Sequence, residues 1–180
     1  LRSVGCQIDY HYLKEAEGFR LDIDRLLAQM QAEKPDVLFI CNPNNPTGLA
    51  LPRPALEPLA EHCRQTNILL VLDECFNEFL DEPQEYTLKP LLPDNPQLFI
   101  LKAFTKLYAM PGLRLGFGLC TNAALLTKME ACAQPWRVST PAQLAGLAAL
   151  REEAYVLQAQ ALIRQERAFL SAELAKLGLV

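Results

Sequence analysis

Three short, uninterrupted runs of apolar residues constrain the fold of this chain more than any other feature of its sequence. The runs cover residues 37–41, 68–72 and 98–101. Apolar runs of this length without polar alternation are typical of strands that are buried on both faces. Apolar residues at helical spacing over 54–65 separate the first two runs. A strand, a helix and a strand in this order imply parallel pairing with a right-handed crossover.

The segments around these runs complete a predicted α/β chain. Residues 115–120 form a fourth apolar run after a short Pro111-Gly112 connection, which makes that run a candidate antiparallel neighbour in a mixed sheet. Residues 4–12 alternate at roughly period two, which predicts a strand with one half-covered face. Asp22 is the predicted N-cap of a helix that Lys34-Pro35 ends.

The second half of the chain predicts a surface excursion followed by helices. Residues 81–96 are acidic and proline-rich without sustained periodicity, which indicates an irregular surface segment. Trp136 is expected in a break between two helices. Thr140 is the predicted N-cap of the next helix, with Pro141 at the first helical position and Gln143 closing a capping box. Apolar residues then continue at helical spacing almost to the end of the sequence.

The composition indicates a globular protein and argues against nucleic acid as a partner. The 180 residues suffice for one full-sized core, and the chain is 51% hydrophobic and 21% charged. A net charge of −4, without a Lys/Arg stripe interleaved with aromatic residues, predicts that nucleic acid is not a partner.

Cysteine spacing and hydropathy argue against a metal site and against membrane association. The six cysteines are scattered without a CxxC pair, so we expect small buried hydrophobes and no metal site. No apolar run reaches about 18 residues, and no charged leader precedes an apolar segment, so we expect no membrane association and a cytoplasmic location. Because the chain begins at Leu1 without a methionine, we expect it to be a piece of a longer protein.

Polar residues are concentrated where the predicted strands end. The loop Cys41-Asn42-Pro43-Asn44-Asn45-Pro46-Thr47-Gly48 follows the first run, and Asp73-Glu74 follows the second. The third run leads to Lys106, and Arg114 follows eight residues later in a segment almost free of other charge. Since the carboxyl ends of buried parallel strands open into a binding crevice, these groups predict a ligand site.

Four stretches carry a resemblance to a known family. They read CNPNNPTGL, DECFNEF, FTKLYAMPGLRLGF and QPWRVS, and their order and spacing resemble the fold-type-I pyridoxal-phosphate-dependent aminotransferase superfamily. Within that superfamily the four motifs are most similar to those of threonine-phosphate decarboxylases of cobalamin biosynthesis. Histidinol-phosphate aminotransferases are the second most similar group.

The resemblance implies a fold and a domain organisation. We expect a three-layer α/β/α large domain around a mostly parallel mixed sheet, incomplete at both ends. Residues 1–139 would be part of the pyridoxal-phosphate-binding large domain. Residues 140–180 would form a long helix that leads toward an absent C-terminal small domain.

The resemblance also assigns roles to individual residues. Lys106 matches the catalytic lysine to which the cofactor is attached, and Asp73 matches the aspartate under the pyridine ring. Asn45, whose bond to Pro46 is cis in the family, matches the asparagine on the phenolic oxygen of the ring. Arg114 matches the arginine that binds the cofactor phosphate, and Thr105 adds a hydroxyl to that phosphate.

Three positions depart from the family pattern or leave a choice open. Ala103 stands where relatives usually carry a Ser or Thr that binds the phosphate. Phe76 stands where many aminotransferases carry a tyrosine that contacts the phenolic oxygen, and phenylalanine there is associated with threonine-phosphate decarboxylase. The residue types alone would also allow Glu74, rather than Asp73, to be the important acid.

The function implied is decarboxylation of L-threonine O-3-phosphate, a small phosphorylated amino acid, to (R)-1-aminopropan-2-yl phosphate. One alternative is an aminotransferase such as histidinol-phosphate aminotransferase. Another is a non-catalytic aminotransferase-like module of a transcription regulator. The family also implies a homodimer when the protein is full length, and the fragment alone is expected to lack part of the site.

Overall fold

A single open sheet organises the chain in the computed structural model, which describes residues 2–179. The strands are β1 (Val37–Cys41), β2 (Leu69–Asp73), β3 (Leu98–Ala103) and β4 (Gly116–Leu119), and they lie in the order β1-β2-β3-β4. β1 to β3 are parallel and β4 is antiparallel to β3. The predicted α/β class and the mixed sheet with one antiparallel strand are therefore confirmed.

Residues 2–179 also form five α-helices. They are α1 (Ile23–Glu33), α2 (Arg53–Thr66), α3 (Ala123–Cys132), α4 (Thr140–Ala149) and α5 (Glu153–Lys176). Asp22 caps α1 as predicted, because its side chain accepts a hydrogen bond of 3.0 Å from the backbone N–H of Arg25. Within residues 2–179, no helix is both long and apolar enough to cross a membrane.

The core lies between one face of the sheet and the helices α1 and α2. Leu70 and Leu72 of β2 pair in register with Leu98 and Ile100 of β3, and all four side chains are almost completely buried. They pack in one cluster with apolar residues of α1 and α2. The continuous apolar runs in the sequence are explained by this packing together with Val71 and Phe99, which are buried on the opposite face.

The strand predicted over residues 4–12 is wrong. A short 3₁₀ helix spans Arg2–Val4 and another spans Glu15–Glu17, and residues 5–14 between them form no strand. Val4, Tyr10 and Tyr12 are exposed there. A strand needs a hydrogen-bonding neighbour, and alternation in the sequence alone supplies none.

The helical segment from residue 140 differs in two respects from its prediction. Ser139, not Thr140, is the N-cap, because the Ser139 hydroxyl accepts from the backbone N–H of Ala142 at 3.4 Å. Thr140 therefore begins the helix, and the Gln143 side chain donates to the carbonyl of Val138 instead of closing a capping box. The single long helix expected over 140–180 consists of two helices, α4 and α5, with a break between them at residues 150–152.

The excursion over 81–96 is irregular as predicted, but it is firmly attached to the core. Two 3₁₀ helices, Pro83–Glu85 and Lys89–Asp94, are its regular elements. Leu88 is fully buried, and Asn95 donates a hydrogen bond of 3.1 Å to the carbonyl of Ala60 in α2. Trp136 lies between α3 and α4 as predicted and is 97% exposed.

Candidate functional site

All five side chains predicted to bind a ligand lie at one edge of the sheet. They are Asn45, Asp73, Thr105, Lys106 and Arg114. This edge holds the carboxyl ends of the parallel strands, where the chain must leave the sheet. Because β4 is antiparallel, its first residue, Gly116, pairs with Ala103 at the end of β3. The connection from β3 to β4, which carries Thr105, Lys106 and Arg114, therefore leaves the sheet and returns to it at this edge.

The loop after β1 presents Asn45. Its two ends are joined by the buried Asn42 side chain, which donates to the Leu51 carbonyl at 2.9 Å and accepts from the Leu51 N–H at 2.8 Å. The Asn45-Pro46 peptide bond is cis, which confirms the expectation from the family, and the Asn42-Pro43 bond is cis as well. The Asn45 side chain is exposed and makes no hydrogen bond to another residue in 2–179, so its amide is free to meet a ligand.

The acidic pair after β2 divides into one accessible and one inaccessible carboxylate. Asp73 is half-buried, and its Oδ1 accepts from the backbone N–H of Cys75 at 2.9 Å. Glu74 is fully buried, and its carboxylate is engaged by the Lys102 ammonium and the Thr87 hydroxyl. Of the two acids that the sequence left open, only Asp73 retains access to a ligand at this edge.

Two thiols lie near Asp73 and remain neutral. Burial, with a smaller contribution from the Asp73 carboxylate, raises the pKa of Cys75 to about 12. Burial and Asp73 also raise the pKa of Cys41, which the backbone N–H of Asn45 partly opposes. A protonated thiol is a poor nucleophile and a poor ligand for a cation. These cysteines therefore do not compete with Asp73 for a positively charged group.

The segment after β3 presents Thr105 and Lys106 between two buried anchors. Phe104 and Leu107 are both buried, and the two residues between them are left toward the edge of the sheet. The Lys106 Nζ lies 5.6 Å from the centroid of the Phe76 ring, within the range of a cation–π contact. Since Phe76 follows Asp73 closely in the chain, this contact joins the Lys106 segment to the Asp73 segment.

Arg114 occupies a left-handed backbone conformation two residues before β4. Its φ is 53°, and its Nη1 donates to the Pro111 carbonyl at 3.2 Å. The next residue, Leu115, accepts from the backbone N–H of Phe104 at 3.1 Å, which fixes Arg114 relative to the Lys106 segment. A guanidinium carries five N–H donors, so this exposed side chain retains capacity for an anion.

Asn42 and Lys102 are two residues that sequence reasoning did not single out. Asn42 closes the loop that carries Asn45, and Lys102 is buried beside Glu74. A signal existed for each of them. Asn42 directly follows an apolar strand, and Lys102 is a charge inside the otherwise apolar sequence 98–104.

The fold and this edge define the class of protein. The sequence profile of the family described as aminotransferase class I and II matches residues 1–180. The chain therefore belongs to the class I and II aminotransferase family.

One curated relative and one solved structure show which members of the family the chain is similar to. The chain is 39% identical over 180 residues to threonine-phosphate decarboxylase from Salmonella typhimurium. The aligned region covers 100% of this chain and 48% of that protein. The crystal structure of histidinol-phosphate aminotransferase from Clostridium acetobutylicum superposes with a TM-score of 0.88 at 27% identity, over 97% of this chain and 51% of that one. The chain spans about half the length of the curated relatives it matches.

A third relative was solved with a bound cofactor, which can be compared with the side chains at this edge of the sheet. Histidinol-phosphate aminotransferase from Sinorhizobium meliloti, in complex with pyridoxal-5'-phosphate, superposes with a TM-score of 0.80 at 26% identity, over 87% of this chain and 42% of that one. The side chains at the edge fit that cofactor chemically. A carboxylate suits a protonated pyridine nitrogen, an amide suits a phenolic oxygen, an amine suits an aldehyde, and a guanidinium with a hydroxyl suits a phosphate.

Proposed function

We propose that the intact protein decarboxylates L-threonine O-3-phosphate to (R)-1-aminopropan-2-yl phosphate, with pyridoxal phosphate as its cofactor. The observation that carries the proposal is the convergence of an amine, a carboxylate, an amide and a guanidinium at one edge of the sheet, in a chain 39% identical to a threonine-phosphate decarboxylase. The substrate is then a small phosphorylated amino acid, and the reaction belongs to cobalamin biosynthesis.

Each polar residue of the edge has one task in this proposal. Asp73 holds the pyridine nitrogen in its protonated form through a charge-assisted hydrogen bond. Asn45 donates to the phenolic oxygen of the ring. Arg114 binds the phosphate as a bidentate donor, and Thr105 adds its hydroxyl. Bound in this way, pyridoxal phosphate supplies an electron sink for the charge that develops at the α-carbon of the substrate.

Lys106 is the proposed catalytic residue. As the neutral amine it is the nucleophile that attaches the cofactor to the chain. When its side chain is not attached to the cofactor, Lys106 would carry the proton as an ammonium and would be the group at this edge that donates it to the substrate α-carbon. Its exposed position above Phe76 is compatible with both tasks, because no ion pair to another residue of 2–179 has to be broken first.

Phe76 is the residue type that the family resemblance associates with threonine-phosphate decarboxylase. A tyrosine at this position would add a hydroxyl beside the Lys106 amine, whereas phenylalanine leaves only a ring face there. With phenylalanine at this position, residue 76 would supply no hydroxyl donor to the phenolic oxygen of the cofactor.

Histidinol-phosphate aminotransferase is the second candidate. The TM-score of 0.88 to a member of that group favours it. Both reactions use the same cofactor site and differ in which bond at the α-carbon lies perpendicular to the ring. A non-catalytic regulator module is disfavoured because Lys106, Asp73, Asn45 and Arg114 are all retained.

The domain assignment and the assembly are part of the same proposal. Residues 1–139 belong to the cofactor-binding large domain, and residues 140–180 lead toward a small domain that supplies groups for the substrate carboxylate and phosphate. The full-length protein is a homodimer.

The direct test measures carbon dioxide release from L-threonine O-3-phosphate by the intact protein loaded with pyridoxal phosphate, without a keto acid. We expect release by the unaltered protein, loss of release in Lys106→Ala, and full release in Lys128→Ala. Lys128 is the matched control, because it is an exposed lysine of α3 and lies away from this edge of the sheet.

Two outcomes would overturn the proposal. Carbon dioxide release that survives Lys106→Ala would remove the lysine from the reaction. Amino transfer from histidinol phosphate to 2-oxoglutarate, without carbon dioxide release from the phosphothreonine, would make the protein an aminotransferase and the interpretation of Phe76 wrong.

A further inference from the structure

A buried ion cluster lies directly behind the candidate site. The Lys102 Nζ is 3.1 Å from Glu74 Oε2 and 2.6 Å from Glu78 Oε1, and it also donates to the Glu74 carbonyl at 3.3 Å. The Lys102 side chain is 5% exposed and that of Glu74 is 0% exposed. We call Lys102, Glu74 and Glu78 the Lys102 cluster.

The cluster continues the apolar face of the core. Leu72 pairs with Ile100, so the next residues on the same face are Glu74 and Lys102. Asp73 points to the opposite face, because side chains alternate along a strand. The sequence therefore places a cross-strand ion pair at the end of the buried face, one residue beyond Asp73 and four residues before Lys106.

Stability alone does not account for this pair. Two charges removed from water lose hydration, and apolar residues of similar volume are often as stable in such a position. The Glu74 carboxylate in addition accepts from the single Thr87 hydroxyl, whose oxygen lies 2.7 and 3.0 Å from its two oxygens, and from the Leu88 N–H at 2.9 Å. A polar group bonded in this way fixes one geometry, where an apolar contact would allow several.

The geometry that the cluster fixes is the turn after β2. Lys102 binds Glu74 at the start of this turn and Glu78 at its other end. Phe76 lies midway between these two residues, and its ring faces the Lys106 Nζ at 5.6 Å. One ammonium on β3 therefore holds both ends of the segment whose middle contacts the candidate catalytic lysine.

The same turn is attached to α5. The Gln160 side chain donates to the Glu78 carbonyl at 2.8 Å. Tyr108, which follows Lys106 closely, stacks on Tyr155 of α5 with ring centroids 6.5 Å apart. The turn after β2 and the segment after β3 therefore both contact α5.

We propose that Lys102 is a positioning residue, which sets the distance between the Asp73–Phe76 segment and Lys106 and thereby the fit of the site to pyridoxal phosphate. The inference rests on the proposed function to the extent that Asp73 and Lys106 bind that cofactor. It does not depend on whether the reaction is decarboxylation or transamination.

The test compares Lys102→Met with Ile100→Ala in the intact protein. Ile100 is the matched control because it is fully buried on the same strand and face, so its truncation lowers stability without touching the cluster. The readouts are the dissociation constant of pyridoxal phosphate, the visible circular dichroism of the bound cofactor, and the thermal midpoint.

We expect Lys102→Met to raise the dissociation constant of pyridoxal phosphate roughly 2- to 30-fold, the range for coupling through packed networks, and to alter the circular dichroism band. Ile100→Ala should lower the thermal midpoint and leave both cofactor readouts unchanged. Lys102→Arg, which keeps the charge, should restore most of the affinity. If Lys102→Met does not fold, Glu78→Gln decides, and it should change the circular dichroism band in the same way.

Equal cofactor readouts in Lys102→Met and Ile100→Ala, or an unchanged band in Glu78→Gln, would reduce the cluster to a structural role and overturn the inference. Failure of the proposed cofactor site gives a different result, because the unaltered protein then binds no pyridoxal phosphate, or binds it equally well after Lys106→Ala. Failure of the decarboxylase assignment alone appears in the carbon dioxide assay and leaves these cofactor readouts as expected.

Discussion

Asn42 and Asn45 are neighbours in one loop and have opposite environments. Asn42 is 3% exposed and bonded twice to the Leu51 backbone, whereas the Asn45 side chain is exposed. Asn42→Ala removes the partners of the half-buried Leu51 N–H and carbonyl, and we expect it to lower the free energy of unfolding by about 1–3 kcal/mol. Urea denaturation of the intact protein measures this loss.

Asn45→Ala is the matched control in that experiment. As an exposed change it should alter the free energy of unfolding by no more than about 0.5 kcal/mol, while it weakens pyridoxal phosphate binding. Comparable destabilisation by both substitutions would contradict the distinction between an asparagine that closes the loop and one that meets the ligand.

Residues with candidate chemical roles are easier to recognise in the sequence than residues that act through position. Lys106, Asp73 and Arg114 stand out because charges are rare in apolar sequence and because the residues around them match the motifs of a family. Lys102 has the same unusual surroundings, yet its role depends on Glu78, which lies 24 residues earlier and reaches Lys102 only in the folded chain. Spacing in one sequence does not predict such a contact.

At the scale of elements, β4 depends on close approach of two backbones. A Cβ added at Gly116 would lie 2.9 Å from the Lys102 carbonyl oxygen in β3. Backbone atoms within a sheet cannot move aside cheaply, so we expect Gly116→Ala to cost about 1–3 kcal/mol. We also expect it to weaken cofactor binding, because Arg114 and the Lys106 segment meet where β3 and β4 pair.

Gly112→Ala is the control for this element. Gly112 has no atom within 4 Å of an added Cβ and has no positive φ, so alanine should be tolerated there. Thermal denaturation of the two variants decides the question. Equal midpoints would mean that the pairing of β3 with β4 adjusts to the extra methyl group.

The elements that the sequence predicted well are those whose pattern is set by burial. β1 was predicted with its observed bounds, and β2 was displaced by one residue, because both are continuous apolar runs that end where polar residues begin. The cap of α4 was misplaced because Ser139 and Thr140 are both good caps and only backbone geometry separates them. The strand over 4–12 failed because no neighbouring strand pairs with it in residues 2–179.

At the scale of the whole molecule, β1 is an edge strand in the part of the chain that the structure describes. Phe39 of this strand is 56% exposed and Val37 is 41% exposed. A strand edge with unpaired N–H and carbonyl groups and exposed apolar side chains is a template for pairing with another chain. The 180-residue chain by itself should therefore self-associate as its concentration rises.

Phe39→Lys tests this expectation, because a lysine on an edge strand opposes edge-to-edge pairing through charge and hydration. Sedimentation velocity over a concentration series should show less association for Phe39→Lys than for the unaltered 180-residue chain. Met129→Lys, which places the same charge on an exposed apolar position of α3, should leave association unchanged. If both substitutions reduce association equally, net charge is responsible and the open edge of β1 is not the contact.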